Sequence, residues 1–366
     1  MAIDWHGVQN LLCVRLDALG DVLMTTPAIR ALRASAAGRR ITLLASPGGA
    51  EVARLVPGID DVLVFEAPWM KATPPLPDPR LELDLVELLR TLRFDAAVIF
   101  TVFTQSALPA AHLCHLAGIQ RRLAHCRENP YHLLTGWVPE TDTAASARHE
   151  VRRQLDLVAT VGAHTSDERL SLSVPDAART RVHDLLSSLR LDRARPWAVV
   201  HPGASAPSRR YTPEGFAAAA RALAMEGWQM LFTGGNGERA LVEAIRRQME
   251  LPSVSLAGKL SLAELAAVLE AAPVLISNNT GPVHVAAALG TPVVDLYALT
   301  NPQHTPWQVP SRVLFHDVPC RNCFKSVCPE GHHNCLRLVP PDAIVAAARE
   351  LVDQRPVRRS PLTVLT

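Results

Sequence analysis

The sequence predicts an α/β protein built on parallel sheets, and three observations carry that expectation. Short apolar runs rich in Val, Ile and Leu recur along the chain without strict alternation, as in strands covered on both faces. Segments with the helical spacing of apolar residues lie between them, and strand–helix alternation is the pattern of a parallel sheet. The length of 366 residues accommodates two domains, each with its own core.

Taken in order, the first series of expected strands is 11–15, 41–45, 62–65 and 96–100. The second series is 197–201, 230–233, 254–256, 274–277 and 293–297, with helices between them such as 213–225 and 261–271. The series breaks between residues 162 and 195, a stretch holding a charged helix preceded by Ser-Val-Pro-Asp at 173–176. A linker at 171–175 therefore divides the chain into a first domain, 1–175, and a second, 176–340. The remainder, 341–366, is expected to hold a helix at 341–352 that crosses back to the first domain. A loosely ordered tail from Arg355, with two prolines and paired arginines, would follow it. No short-period repeat is evident.

Composition excludes several classes. Apolar residues make up 48% and charged residues 20%, ordinary for a soluble globular protein. A net charge of +2 gives no reason to expect nucleic acid. Of 37 basic residues only Lys71, Lys259 and Lys325 are lysine, a bias that reflects overall composition rather than a binding demand on each arginine. The N-terminus lacks the basic and apolar regions of a secretory signal, so a cytoplasmic protein is expected. The uncharged stretch 96–120 contains Gln105, Pro109, His112 and His115, and reads as a buried strand and helix rather than a membrane span. In a reducing compartment disulfides are not the default, and Cys13 and Cys114, in apolar runs, are expected in the core.

Three groups of residues have the chemistry of a site. Arg15-Leu16-Asp17-Ala18-Leu19-Gly20-Asp21 follows the first strand, and Gly20 permits a tight turn there. Thr26 is expected as an N-cap with Pro27 at the first helical position. Asp21 would then stand in the crevice where α/β sheets bind ligands, able to take a proton from an attacking hydroxyl; read alone, it serves equally well as a cap. His201-Pro202-Gly203-Ala204-Ser205 leads to Arg209 and Arg210, which can pair with phosphate oxygens if the segment is more than a surface turn. Gly234, Gly235 and Asn236 form a glycine-rich strand-to-helix turn. The strongest local signal is Asn278-Asn279-Thr280-Gly281-Pro282-Val283-His284. There the free amides of a helix start make an anion site, with His284 one turn in. Its bland reading is an Asn279 or Thr280 cap with a packed histidine. The fingerprint G-x-G-x-x-G does not occur at the first strand.

In this order the motifs resemble glycosyltransferase family 9, the ADP-heptose:lipopolysaccharide heptosyltransferases. The matching stretches are RLDALGDVLMTTPAIRALR from Arg15, HPGASAPSRRY from His201, FTGGNGE from Phe232 and SNNTGPVHVAAALGTPVV from Ser277, with a weaker match, HEVRRQLDLVATVG, from His149. The resemblance implies a GT-B fold: two Rossmann-like domains facing each other across a cleft. The acceptor would bind the first domain and the nucleotide sugar the second. By motif position Asp21 falls on the family's catalytic base, and Arg209 where the family often has a Lys near the phosphates. Thr280, Gly281 and His284 fall on the phosphate-binding helix start. Asn279 stands where members often have Asp, and Asn236 near where some carry an acidic residue for the ribose.

The expected reaction is an inverting transfer of heptose from ADP-heptose to a lipid A–Kdo type acceptor of the lipopolysaccharide inner core. No Asp-x-Asp pair occurs, so no catalytic metal is expected, and Arg209, Gly281 and His284 would meet the leaving group's charge. The other classes weighed are a nucleotide-sugar epimerase of similar fold, a transferase of another sugar, and a catalytically dead scaffold, against which Asp21 argues. An anionic glycolipid acceptor implies peripheral contact with the cytoplasmic face of the inner membrane. Residues 1–175 carry 17 basic and 19 acidic groups, so Gly20 and the cluster Arg121, Arg122 and Arg127 are the acceptor-side candidates. Finally, Cys320, Cys323, Cys328 and Cys335 bring four of seven cysteines within sixteen residues, with His332 and His333 between the last two. Structural zinc, free thiols and disulfides are the three readings, and zinc on those four residues is the one proposed, with a stabilising role far along the chain from Asp21.

Overall fold

The computed structural model describes residue 5 and residues 7–70 and 78–354. The expected tail from Arg355 lies outside them. The first half runs β1 (Asn10–Arg15), α1 (Leu19–Ala34), β2 (Arg40–Ala45), α2 (Pro47–Ala53), β3 (Asp61–Val64), α3 (Arg80–Leu92), β4 (Ala96–Ile99), α4 (Leu108–Leu116), β5 (Arg121–Cys126), β6 (Gly136–Pro139) and α5 (Glu150–Ala159). Its six strands pair in parallel in the order β3-β2-β1-β4-β5-β6. The second half runs α6 (Asp176–Ser188), β7 (Trp197–His201), α7 (Pro213–Met225), β8 (Gln229–Phe232), α8 (Arg239–Met249), β9 (Val254–Ser255), α9 (Leu262–Ala271), β10 (Leu275–Asn278), α10 (Gly281–Leu289), β11 (Val293–Leu296), β12 (Ser311–Leu314), α11 (Asn334–Arg337) and α12 (Pro341–Asp353). Its strands are again all parallel, in the order β12-β11-β10-β7-β8-β9.

The apolar strand runs are explained by their burial. In β1 every residue after Asn10 is buried, with Leu11 opposite Ile41 on one side and Ala96 on the other. Helices cover both faces, so no face of the strand is left for polar alternation. One apolar cluster runs from Leu11, Val22 and Ile29 through Val158 to Val268, Val283 and Val293, and thus joins the two halves. The extended segment 171–175 is held to the first half: the Ser171 amide donates to Thr26 Oγ1 at 2.9 Å and the Ser173 amide to Leu55 O at 2.8 Å.

Three expectations need correction. β5, β6 and β12 were not foreseen. The β5 sequence, RRLAHC, reads as polar, yet buried Arg122 satisfies itself on backbone carbonyls and lets the strand run through. α1 begins at Leu19, so Thr26 and Pro27 lie inside it; Thr26 Oγ1 donates to Leu23 O at 2.7 Å, taking up the carbonyl that Pro27 cannot bond. α12 does not cross back. Its buried stripe Ile344, Val345, Ala348 and Leu351 belongs to the second core, and it packs on α7 beside β11 and β12. Among the described residues no helix is long and apolar enough to cross a membrane.

Strand order places the site. In the first sheet the direction of winding reverses between β1 and β4, and in the second between β10 and β7. Loops leaving such neighbours diverge and open a crevice at the carboxyl ends of the strands. The loops after β1, β4, β7 and β10 all line one cleft, with a cavity of about 320 Å³ between the halves.

Candidate active site

The first wall is built on Arg15, the last residue of β1, whose side chain is fully buried. Three carboxylates share it: Asp17 at 2.9 Å, Asp21 at 3.2 Å and Glu150, from the start of α5, at 2.8 Å. One guanidinium against three carboxylates leaves a formal charge of −2 in this cluster. Both Asp17 oxygens are engaged, one by Arg15 and the other by the Gln105 amide at 2.6 Å. Burial pushes Asp17 up to about 6, against the pull of Arg15. Glu150 behaves oppositely: burial works against its charge, but Arg15 and Arg153 outweigh it and hold it below the usual range.

Asp21 is in the first turn of α1, with 17% of its side chain exposed to the cleft. Its Oδ2 accepts the Ala18 N–H at 3.2 Å, and its Oδ1 faces Arg15. The capping role and the cleft-facing role are therefore both real. Burial raises its pKa, opposed by Arg15 and reinforced by the negative charge of Glu150. His304 Nε2 stands 4.0 Å from Oδ1 and has no hydrogen-bond partner. Burial, and after it the balance of Glu150 against Arg209 and Arg15, holds His304 down at about 4, so it is neutral at pH 7.

The second wall rests on the turns after β7 and β10. Arg209 closes a short turn beginning at Pro207, and its guanidinium makes no hydrogen bond or ion pair among the described residues. Arg210 turns away: it donates to Ala204 O at 2.8 Å and Ser205 O at 3.3 Å, folding the loop that carries Ser205. At β10, Asn278 ties the two turns together by accepting the Tyr211 amide at 2.9 Å and donating to Pro202 O at 2.7 Å. Asn279 donates to Asp295 Oδ2 at 3.0 Å and to His304 O at 2.9 Å. Both its N–H groups are thereby used, which leaves its carbonyl oxygen for the cleft.

The starts of α1 and α10 meet across the cleft because small residues let them. A Cβ on Gly20 would fall 2.6 Å from the ring of His284, and one on Gly281 would fall 3.1 Å from Leu19. Thr280 caps α10 without a side-chain bond; Pro282 has no N–H and the Val283 amide donates to Thr280 O at 3.0 Å, so at this helix start the Thr280 and Gly281 amides are the ones without a partner among the described residues. His284 is buried, and burial, then His304 and His149, drive its pKa to about 3, so it meets a ligand as a neutral ring.

Of the residues singled out from sequence, the cleft gathers Gly20, Asp21, Ser205, Arg209, Asn279, Thr280, Gly281 and His284. It does not take in Gly234, Gly235 and Asn236. These sit after β8 on the same sheet edge, where the Gly235 amide donates to Glu238 at 2.6 Å and Glu238 lies over Gly203, which has no room for a Cβ. Nor does it take in the proposed arginine cluster. Arg121 and Arg122 open β5, at the sheet end away from the cleft, and Arg122 is spent on the carbonyls of Leu133 and His132. Arg127 lies past the other end of β5, over the Phe103 ring and bonded to Asp142 O at 3.0 Å.

Sequence reasoning did not assign roles to Arg15, Glu150 and His304, nor to Phe324, Lys325 and Ser326, which also line the cleft. A charged residue ending a buried strand was the available signal for Arg15. The last three come from the cysteine-bearing loop, so that loop is part of the cleft wall and not remote from Asp21. Cys320 Sγ is 3.7 Å from His332 Nε2, all four thiols are half-buried and free, and among the described residues no three His, Cys, Asp or Glu side chains converge as a metal site.

Residues 84–334 match glycosyltransferase family 9 (heptosyltransferase). Lipopolysaccharide heptosyltransferase 3 of Escherichia coli is 25% identical over 348 residues, 91% of this chain and 96% of that protein. Lipooligosaccharide heptosyltransferase 2 of Campylobacter jejuni is 26% identical over 159 residues; the match covers 42% of this chain and spans about half of that relative, 50%. The solved structure of E. coli ADP-heptose lps heptosyltransferase II superposes with a TM-score of 0.73 at 22% identity, covering 94% of this chain and 99% of that one.

Proposed function

The chain belongs to glycosyltransferase family 9, and from that premise we propose that it transfers a heptose from ADP-heptose to a hydroxyl of a lipopolysaccharide inner-core acceptor, with inversion and without a catalytic metal. The observation that carries this reading is the opposition of Asp21 to Arg209 and the α10 start across one cleft. The acceptor hydroxyl attacks the anomeric carbon from the first-half side and gives its proton to Asp21. The carbon–oxygen bond to the diphosphate breaks on the far side, and the electron pair leaves with the nucleoside diphosphate. Arg209, the amides of Thr280 and Gly281 and neutral His284 stabilise the charge that develops there.

The acceptor side is a second cavity of about 320 Å³ that shares Asp17 with the cleft and is lined by Leu16, Trp69, Phe100 and Gln105. An anionic glycolipid acceptor would bring the enzyme to the cytoplasmic face of the inner membrane as a peripheral protein. Release of ADP from ADP-heptose, measured with and without a lipid A–Kdo acceptor, tests the reading. Acceptor-dependent release supports transfer; equal release without acceptor, or conversion of the sugar with no release, overturns it.

A further inference from the structure

The loop between β12 and α11 is a sequence motif that the proposed reaction does not use, although it forms part of the cleft. We propose that Lys325, carried by this loop, is a second cation for the donor's diphosphate, fixed in register with Arg209 by Ser208. The proposal deepens the donor-cleft reading above and rests on it.

Three observations carry it. First, the loop is fastened on both sides of the cleft. The Asn322 amide donates to Leu299 O at 2.7 Å and the Phe324 amide to Thr300 O at 2.8 Å, both in the second half. Toward the first half, Asn322 Nδ2 donates to Ala144 O at 3.2 Å, and the Phe324 ring meets Phe103 edge-on at 5.4 Å. Asn322 and Phe324 have positive φ, 59° and 52°, a conformation that side-chain-bearing residues hold only when their surroundings over-determine it. Those two amide bonds and the ring contact do so, and they set the direction in which the next residue, Lys325, leaves the turn.

Second, the loop is bonded to the arginine turn. Ser208 Oγ donates to Lys325 O at 2.8 Å, and the Ser208 amide donates to Ser326 O at 3.0 Å. Ser208 is buried and immediately precedes Arg209. The two cations are therefore carried by chain segments clasped together at Lys325 itself and at the residue before Arg209.

Third, neither charge is answered by protein. Among the described residues the Lys325 ammonium and the Arg209 guanidinium make no hydrogen bond or ion pair, while the opposite wall holds three carboxylates about one arginine. Two open cations beside a helix start suit a ligand carrying two or more negative charges on adjacent phosphates, and a lysine supplies a compact charge that needs no bidentate geometry. A nucleoside diphosphate has that charge, and a nucleoside does not.

Calorimetric titration of the full-length protein with ADP, AMP and adenosine tests the assignment. Lys325→Gln should weaken ADP about tenfold, weaken AMP less and leave adenosine unchanged; Lys325→Arg should restore most of the ADP affinity. Ser208→Ala should weaken ADP in the same direction by loosening the clasp. Thermal midpoints near the parent's show that each variant is folded, as expected for exposed Lys325. ADP affinity unchanged in Lys325→Gln while Arg209→Ala weakens it would overturn the proposal and leave the donor cleft standing. ADP affinity unchanged in both variants would show instead that the cleft is not the diphosphate site.

Discussion

Replacing Asp21 by Asn keeps the size of the side chain and removes its basicity. The structure allows both consequences to be weighed. The carboxylate accepts from two donors, the Ala18 N–H and Arg15, each at 3.2 Å. An amide offers one acceptor oxygen, so one donor loses its partner, a cost of about 1–3 kcal/mol. The same change removes one of three negative charges around Arg15, relieving repulsion with Glu150 and Asp17 by about 1–3 kcal/mol at an effective dielectric of about 20. The two nearly cancel, and the variant should fold with stability within about 2 kcal/mol of the parent. Turnover should fall at least about a hundredfold, equivalent to about 2.7 kcal/mol of barrier. Acceptor-dependent ADP release measures kcat, ADP titration checks the donor site, and circular dichroism checks the fold. Because burial raises the Asp21 pKa, parent activity should decline as pH falls through a value above the usual carboxylate range. Turnover in Asp21→Asn close to the parent's would refute the base assignment. If Asp17→Asn were inactive at the same time, the role would pass to the neighbouring carboxylate, which also lines the cleft.

Three further outcomes are expected. Arg122→Met removes donors to the carbonyls of Leu133 and His132, so it should cost about 2–4 kcal/mol in chemical denaturation and leave the acceptor KM unchanged; a raised KM at parental stability would restore a role in acceptor binding. Burial keeps Asp295 protonated up to about pH 8, while the unfolded chain releases that proton near pH 4. Between those values the unfolded state binds fewer protons, so this residue lowers stability as pH rises through that window and contributes nothing below it. Asp295→Asn retains an acceptor for Asn279 and should stabilise the protein by about 1–3 kcal/mol at pH 8 and not at pH 4; equal effects at both values would show that Asp295 is not the titrating group. Structural zinc on Cys320, Cys323, Cys328 and Cys335 remains a proposal, tested by elemental analysis of protein purified without chelator. About one equivalent supports it, and less than about a tenth, with all seven thiols titratable, overturns it.

The sequence by itself determined the layered architecture and most of the cleft. Parallel strands buried on both faces must be apolar throughout, so β1, β2, β4, β7 and β10 were readable as runs. Glycine and proline marked the turn where α10 begins, and Gly20 marked the turn after β1, although α1 starts at Leu19 and not at Thr26. Asp21, Arg209, Thr280 and Gly281 follow from that local logic, because strand carboxyl ends and helix starts are fixed by nearest neighbours along the chain. What only the tertiary structure decided depends on partners distant in sequence. Arg122 looks like a surface charge until the carbonyls that consume it are placed beside it. Pro27 looks like a helix start until Thr26 and Ser171 show how the helix continues past it. Glu150 and His304 reach Arg15 and Asp21 from 135 and about 280 residues away, and periodicity carries no information on such a distance. The cysteine loop is the clearest case. Its composition pointed to a stabilising role remote from the chemistry, and the hydrogen bonds of Ser208 bring it to the Arg209 side of the cleft. A backbone carbonyl's choice of partner leaves no mark on residue type, so that placement could come only from the fold.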